Sequence, residues 1–377
     1  MPYLYERLFY AEKVNAIFSN EGTVDAMLGF ESALAAAQAK HGIIPSEAAA
    51  VIEANCKTGK INIEKLIADS VMGGNLAIPL VSQLTQLVRS ESPKAAGYVH
   101  FGATSQDLID SAIMVQIRKA SIIMMDDLEH LLGCLVSITK ENRATWMVGR
   151  SFMQHARPIS FGFKTAGWLD PLQRSKLAMQ EMVREDLVLQ FGGAVGTLFS
   201  MEEKGLLLSK SIADSLGLKN PPRPWHTQRD RLASIGSTMG ILAGNIGKMA
   251  KDISLLAQTE IAELNESSRS GKGGSSAMPQ KSNPVGCICI LANAVRIPAL
   301  ISTLFSTMSQ DHERATGAWH AEWQTLTDIV QLAAGALDKA VELMQGLEIN
   351  SSQMLHNLEL TKGLIYAENI SLALTPQ

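Results

Sequence analysis

The chain has 377 residues, 46% of them hydrophobic and 19% charged, a balance that excludes intrinsic disorder and allows two or three packed units. Its formal net charge of −4 argues against a nucleic-acid partner, which would need a basic footprint. Cys56, Cys134, Cys287 and Cys289 form neither a disulfide framework nor a Cys-x-x-Cys pair, so no metal is expected. Glu6 and Arg7 stand where a signal peptide needs its apolar core. No stretch approaches the roughly eighteen uncharged apolar residues of a membrane span. The expectation is therefore no membrane and a cytoplasmic location.

Short helices open the chain, including Thr23–His41, ended by Gly42, and Ser46–Cys56. Prolines are then absent between Pro93 and Pro158. This gap begins at a capping box, with Thr104 as N-cap and Asp107 three residues on. Helical spacing runs from there through Leu108, Ile109, Ala112, Ile113 and Ile117 to Leu131–Leu135. The second gap, Pro224 to Pro279, carries Leu232, Ile235, Met239, Leu242, Ile246, Met249, Ile253 and Leu256 at alternating steps of three and four. That is the seam of long helices packed side by side. Gly236, Gly240 and Gly244 recur every fourth residue there, at a cost of about 1 kcal/mol each in a helix. The series predicts a neighbouring backbone at close range. A third helical pattern, from about Pro284 to Met308, contains Pro298 and is expected to kink, and a fourth runs from Trp319 to Met344. No segment sustains period-two alternation.

The fold class is therefore all-α: a long central helical bundle with a smaller N-terminal helical domain. The boundaries are 1–103 for the N-terminal domain, 104–350 for the bundle, and 351–377 for the start of a C-terminal helical domain. Long seam-bearing helices with few charges need further partners to cover their faces, so other subunits are expected to complete the bundle.

The least helical segment is 267–284. It lacks the P-loop pattern and follows no predicted strand, yet it concentrates Ser275, Ser276, Lys281, Asn283 and several glycines. Such a loop can surround an anion with amides, a hydroxyl and a cation. The other glycine-rich run, Gly192–Thr197, lacks the G-x-G-x-x-G spacing. It reads as a connection between long helices, and no nucleotide cofactor is expected, nor any other.

From Gly274 to Pro284 the loop is similar at every fixed position to the fumarase/aspartase superfamily signature G-S-S-x-M-P-x-K-x-N-P. Two further segments follow the order of that superfamily: His100–Asp107 and Gly149–Ala156. The resemblance spans essentially the whole chain and implies a homotetramer whose active sites are shared between subunits. It also implies a small polycarboxylate substrate passing through an aci-carboxylate carbanion. Ser275 would transfer the proton, with the loop amides and Lys281 stabilising its anion. Lys281 and Asn283 would hold the carboxylate whose charge grows, assisted by Ser276. Thr104 and Ser105, at a helix N-terminus, would bind another carboxylate.

Two departures narrow the chemistry. Many lyases of the superfamily place a histidine where this chain has Phe152, and pair it with a glutamate where this chain has Ile288. An intramolecular lactonisation fits that joint loss, because its nucleophile is a carboxylate already ionised near neutral pH. The chain accordingly resembles the bacterial lactonising cycloisomerases of this superfamily through Tyr98–Ala112, Gln154–Gly162, Gln190–Thr197, Pro224–Arg231 and His312–Trp323. A fumarate-releasing lyase and a non-catalytic scaffold are the competing readings.

A tricarboxylate needs cations beyond Lys281, and Arg150, Arg157, Arg229 and Arg314 are the candidates. Gln154, His100 and His155 are expected at the substrate, with His155 one helical turn beyond Phe152 and counted as catalytic. Gln280 and Ser282 stand where related cycloisomerases commonly carry histidine and arginine, which predicts a weaker hold on the substrate. The resemblance further implies a C-terminal domain extending past Gln377.

Overall fold

The computed structural model describes residues 4–266, 273–274, 278 and 281–375. Six shorter helices come first: α1 (Glu6–Phe9), α2 (Glu12–Ile17), α3 (Asn20–Lys40), α4 (Ser46–Asn55), α5 (Ile63–Gly73) and α6 (Ala77–Glu91). Long helices follow, α7 (Ser105–Glu141), α8 (Phe161–Glu185), α10 (Asp230–Leu256) and α11 (Val285–Thr307), with the shorter α9 (Gly205–Leu216) between α8 and α10. Then come α12 (Ala318–Gln345), α13 (Ser351–Glu359) and α14 (Ala367–Leu374). One apolar core runs from Ala11 to Met354, joining the short N-terminal helices to the long ones.

The heptad seam of α10 is buried along its whole length, from Leu232 to Leu256. Its glycines act differently from expectation. A Cβ on Gly236 would meet Leu304 Cδ1 at 2.7 Å, and one on Gly240 would meet Ile301 Cδ1 at 2.3 Å. They make room for side chains of α11, not for a backbone, and Gly244 faces open space. Close backbone approaches occur at other glycines, among them Gly335, beside Phe9 O, and Gly162, where a Cβ would lie 2.7 Å from Thr139 O. The latter tucks the start of α8 against the end of α7. Pro298 sits inside α11 without ending it.

Two small antiparallel pairs interrupt the helical fold: β1 (Trp146–Ser151) with β2 (Gln154–Ser160), and β3 (Leu264–Glu266) with β4 (Leu347–Ile349). The first pair corrects the expectation that residues around His155 are helical. Met147 and Val148 are both buried, so the strand lacks the alternation that would announce it. Its turn, Phe152-Met153, has φ of 49° and 64°, the conformation of a two-residue hairpin turn where Asn-Gly is usual.

Helix α11 comes nearest to a membrane span. It is long and apolar enough, by length and composition alone, to cross a membrane; Arg296 divides its uncharged runs. Here it packs between α10 and α12, and Asn293 Nδ2 donates to Phe9 O at 2.7 Å and to Leu332 O at 3.1 Å.

Candidate active site

At the N-terminal end of α7 the capping box forms as expected, with Thr104 N–H donating to Asp107 Oδ2 at 3.0 Å. Asp107 is fully buried and also accepts from Gly192 N (2.9 Å), Gly193 N (2.8 Å), Gln190 Nε2 (3.0 Å) and His226 Nε2 (3.1 Å). The glycine-rich run Gly192–Thr197 thus does surround a carboxylate, and the carboxylate belongs to the chain itself. A buried carboxylate is tolerated when donors saturate it.

One turn further along α7, Asp110 meets Arg229. The guanidinium donates from Nη1 to Asp110 Oδ2 at 2.7 Å, and from Nε and Nη2 to Glu322 at 3.0 and 2.5 Å. Arg229 was expected to contact substrate; the structure corrects this. Its side chain is 1% exposed and its donors are engaged by two buried carboxylates. Burial alone would lower its pKa, but the charges of Asp110 and Glu322 raise it.

What stays reachable at this end is a small polar group. Arg314 Nη1 donates to Thr104 Oγ1 at 2.7 Å and Nε to Gln106 Oε1 at 3.3 Å, bringing two expected substrate contacts together beside Ser105. His100 sits nearby in left-handed backbone, φ 56°, with Nδ1 2.5 Å from Glu31 Oε1. Burial by itself would lower the His100 pKa, but the charge and hydrogen bond of Glu31, with Asp107 beyond, raise it. Glu31 is itself buried, and its Oε2 has no hydrogen-bond partner among the described residues. Nothing in the local sequence marked Glu31, which lies 69 residues from His100.

The other expected residues lie at the far end of the bundle. Helix α7 has 37 residues, about 55 Å at a rise of ~1.5 Å each, and the β1–β2 hairpin follows it. Arg150 on β1 pairs in register with His155 on β2, while Gln154 is exposed at the turn. Arg150 holds Glu263 bidentately, at 3.0 and 2.7 Å. Asn357 Nδ2 adds a third donor to that buried carboxylate at 2.9 Å.

Strand β3 begins next to Glu263 and leads into the signature loop. Glu266, at its end, accepts from Gly286 N at 3.0 Å and Cys287 N at 2.9 Å, holding the N-terminus of α11. The loop is closed at its neck by a bridge between Gly274 and Ser282. Asn283 N and Nδ2 both donate to Gly273 O, at 2.8 and 3.1 Å. A Cβ on Gly273 would lie 2.6 Å from Asn283 O, so the neck closes only with glycine there. The Asn283 amide nitrogen uses one of its two N–H groups on the neck. Lys281 is exposed. Ser275 and Ser276 lie outside the described residues.

A cavity of about 700 Å³ opens beside the hairpin, lined by Arg150, His155, Lys164, Asp252 and Gln258 among others. Lys164 had no place in the sequence-based site. Among the described residues no group of three or more His, Cys, Asp and Glu is arranged to hold a metal ion.

With this geometry in hand, likeness to known proteins can be weighed. A family model described as lyase matches residues 9–299. The chain is 44% identical over 371 residues to a 3-carboxy-cis,cis-muconate cycloisomerase of Pseudomonas aeruginosa, covering 98% of this chain and 81% of that protein. A crystal structure of a 3-carboxy-cis,cis-muconate lactonizing enzyme from Pseudomonas putida superposes with a TM-score of 0.94 at 42% identity, over 98% of this chain and 82% of that one. A fumarate lyase from Mesorhizobium superposes with a TM-score of 0.89 at 35% identity, over 98% and 83%.

Proposed function

This chain belongs to the lyase family matched over residues 9–299, and from that membership we propose that it is a cycloisomerase of 3-carboxy-cis,cis-muconate. The reaction is an isomerisation. A carboxylate oxygen of the substrate adds to a carbon of its own diene, closing a γ-lactone. The electron pair moves toward the neighbouring carbon, which carries the charge with its carboxylate as an aci-carboxylate and is then protonated. No co-reactant enters.

The observation that carries this reading is the joint replacement at Phe152 and Ile288. Where the resemblance places a histidine and a glutamate, this chain has a phenylalanine 98% exposed at the hairpin turn and an isoleucine 53% exposed on the first turn of α11. Neither can carry a proton, and a substrate carboxylate needs no base to activate it. Ser275 supplies the proton in this reading, with Lys281 and the second N–H of Asn283 Nδ2 orienting the reacting end. Thr104, Ser105, Arg314 and His100 receive a further carboxylate.

Lys281 and Asn283 lie at one end of α7 and Thr104, Arg314 and His100 at the other, so one chain does not hold a whole site. A homotetramer whose sites draw on several subunits resolves this. Support comes from apolar side chains on the long helices left exposed in the single chain, Ile241, Ile288, Val295 and Phe305. Such a surface usually marks an interface.

The decisive test follows diene absorbance with 3-carboxy-cis,cis-muconate. Wild type should consume the diene, and Ser275→Ala should slow it by at least about 10²-fold, the usual size of a lost proton-transfer group. Unchanged turnover in Ser275→Ala would remove the serine from the mechanism. Fumarate release from a succinyl substrate, without diene loss, would replace the cycloisomerase reading by a lyase one.

A further inference from the structure

A tricarboxylate must meet more positive charge than the pairing in this chain leaves free. Arg229 is engaged by Asp110 and Glu322, and Arg150 by Glu263. Among the cations lining the cavity beside the hairpin, Lys164, in the first turn of α8, is half-buried and makes no hydrogen bond or ion pair with any described residue. We infer that Lys164 is a carboxylate-binding residue, receiving one carboxylate of the substrate in the cavity it shares with Arg150 and His155.

Three observations converge on this. First, the surrounding charges are already matched. Asp252 is the nearest anion on α10, but its Oδ2 accepts from Trp168 Nε1 at 2.8 Å and its Oδ1 from Lys248 Nζ at 2.5 Å. Arg150 and Glu263 neutralise each other across the other wall. Glu260 also lines the cavity, but it is exposed. Second, the ammonium is partly withdrawn from water. Desolvation pulls its pKa below the usual lysine range, Asp252 offsets part of this, and Lys248 and Arg150 push it further down. An unpaired cation in such a place is unfavourable until an anion arrives. Third, the position opposes the helix: a cation in the first turn faces the positive end of the α8 macrodipole. A structural lysine gains nothing there. A carboxylate bound at the same point is favoured by both the ammonium and the dipole.

The cavity volume of about 700 Å³ is ample for a six-carbon diacid with a third carboxylate. His155, half-buried on β2, lines the same space. The inference rests on the cycloisomerase reading for the identity of the substrate, but the subsite itself needs only a carboxylate.

Two measurements separate these levels. In steady-state assays with 3-carboxy-cis,cis-muconate, Lys164→Met should raise KM by about tenfold or more, the size of one lost charge-assisted hydrogen bond. The effect on kcat should be smaller, and Lys164→Arg should recover most of the loss. A KM within twofold of wild type in Lys164→Met overturns the assignment. Independently, wild-type protein is labelled with an amine-acylating reagent and Lys164 is followed by peptide mass spectrometry. The saturated tricarboxylate tricarballylate should slow labelling of Lys164 while leaving exposed Lys65 unaffected. If wild type shows no cyclisation yet tricarballylate protects Lys164, the substrate reading fails and the subsite stands. If neither tricarballylate nor the muconate protects it, the subsite fails whatever the turnover.

Discussion

The two ends of α7 treat charge in opposite ways. At the N-terminal end, Asp107, Asp110, Arg229 and Glu322 are all buried and saturated, and the cap, the glycine-rich loop and the start of α10 are fixed to one another. At the far end, a hairpin turn exposes Phe152 and Met153 in left-handed backbone, and Lys164 lines a cavity with no ion pair to any described residue. The first arrangement is a frame that one chain completes alone. The second is incompletely paired among the described residues, and its left-handed turn carries backbone strain of the kind found at functional sites. Charges of similar kind therefore report structure at one end and binding at the other, and burial with full pairing is what tells them apart.

Removing Arg229 breaks the comparison most severely. Arg229→Met leaves Asp110 and Glu322 facing each other in the core, and losing one partner of a buried pair costs about 3–5 kcal/mol. Urea denaturation should show a midpoint falling by that equivalent or no folded protein at all. Replacing Arg229, Asp110 and Glu322 together by apolar residues of similar volume should cost less than the single change. A single variant as stable as wild type would mean that the paired end is not the frame described here.

The Glu31–His100 pair lies between these extremes, since both groups are substantially buried yet one carboxylate oxygen is unpaired. Because the folded His100 pKa is raised, its contribution to stability is fully present below the unfolded value of about 6.5. That contribution is lost as pH rises through the folded value. Glu31→Gln keeps a hydrogen-bond acceptor but removes the charge. Wild type should therefore exceed Glu31→Gln by about 1–2 kcal/mol near pH 5.5, with the gap closing at higher pH. Parallel stability curves across that range would show that His100 does not titrate against Glu31.

Legibility from the sequence follows the range of the interactions involved. The α10 seam and the Thr104 capping box are local patterns, and both formed where the spacing placed them. The role of Arg229 was hidden because its partners lie 119 and 93 residues away, and no local pattern distinguishes a substrate arginine from a buried one. The hairpin was hidden because two consecutive apolar residues are buried and its turn uses Phe-Met in place of Asn-Gly. Lys164 did carry a local signal, a cation opposing the dipole at a helix start, which becomes meaningful once the cavity is seen beside it.

The smallest effect sharpens the comparison along a single helix. Gly240 and Gly244 are one turn apart on α10 and identical in sequence terms, with the same helix-propensity cost. Their surroundings differ: a Cβ at 240 would collide with Ile301, while one at 244 meets nothing within 4 Å. Gly240→Ala should therefore lose stability, by about 1–3 kcal/mol through overpacking offset in part by propensity. Gly244→Ala should gain about 0.5–1 kcal/mol from reduced freedom of the unfolded chain. Both are read by urea denaturation at matched protein concentration, with the association state followed by light scattering. If Gly244→Ala instead weakens association, then another subunit's helix lies against that glycine. The close backbone approach that the glycine spacing predicts would then exist between chains, at the face where the single chain leaves Ile241 exposed.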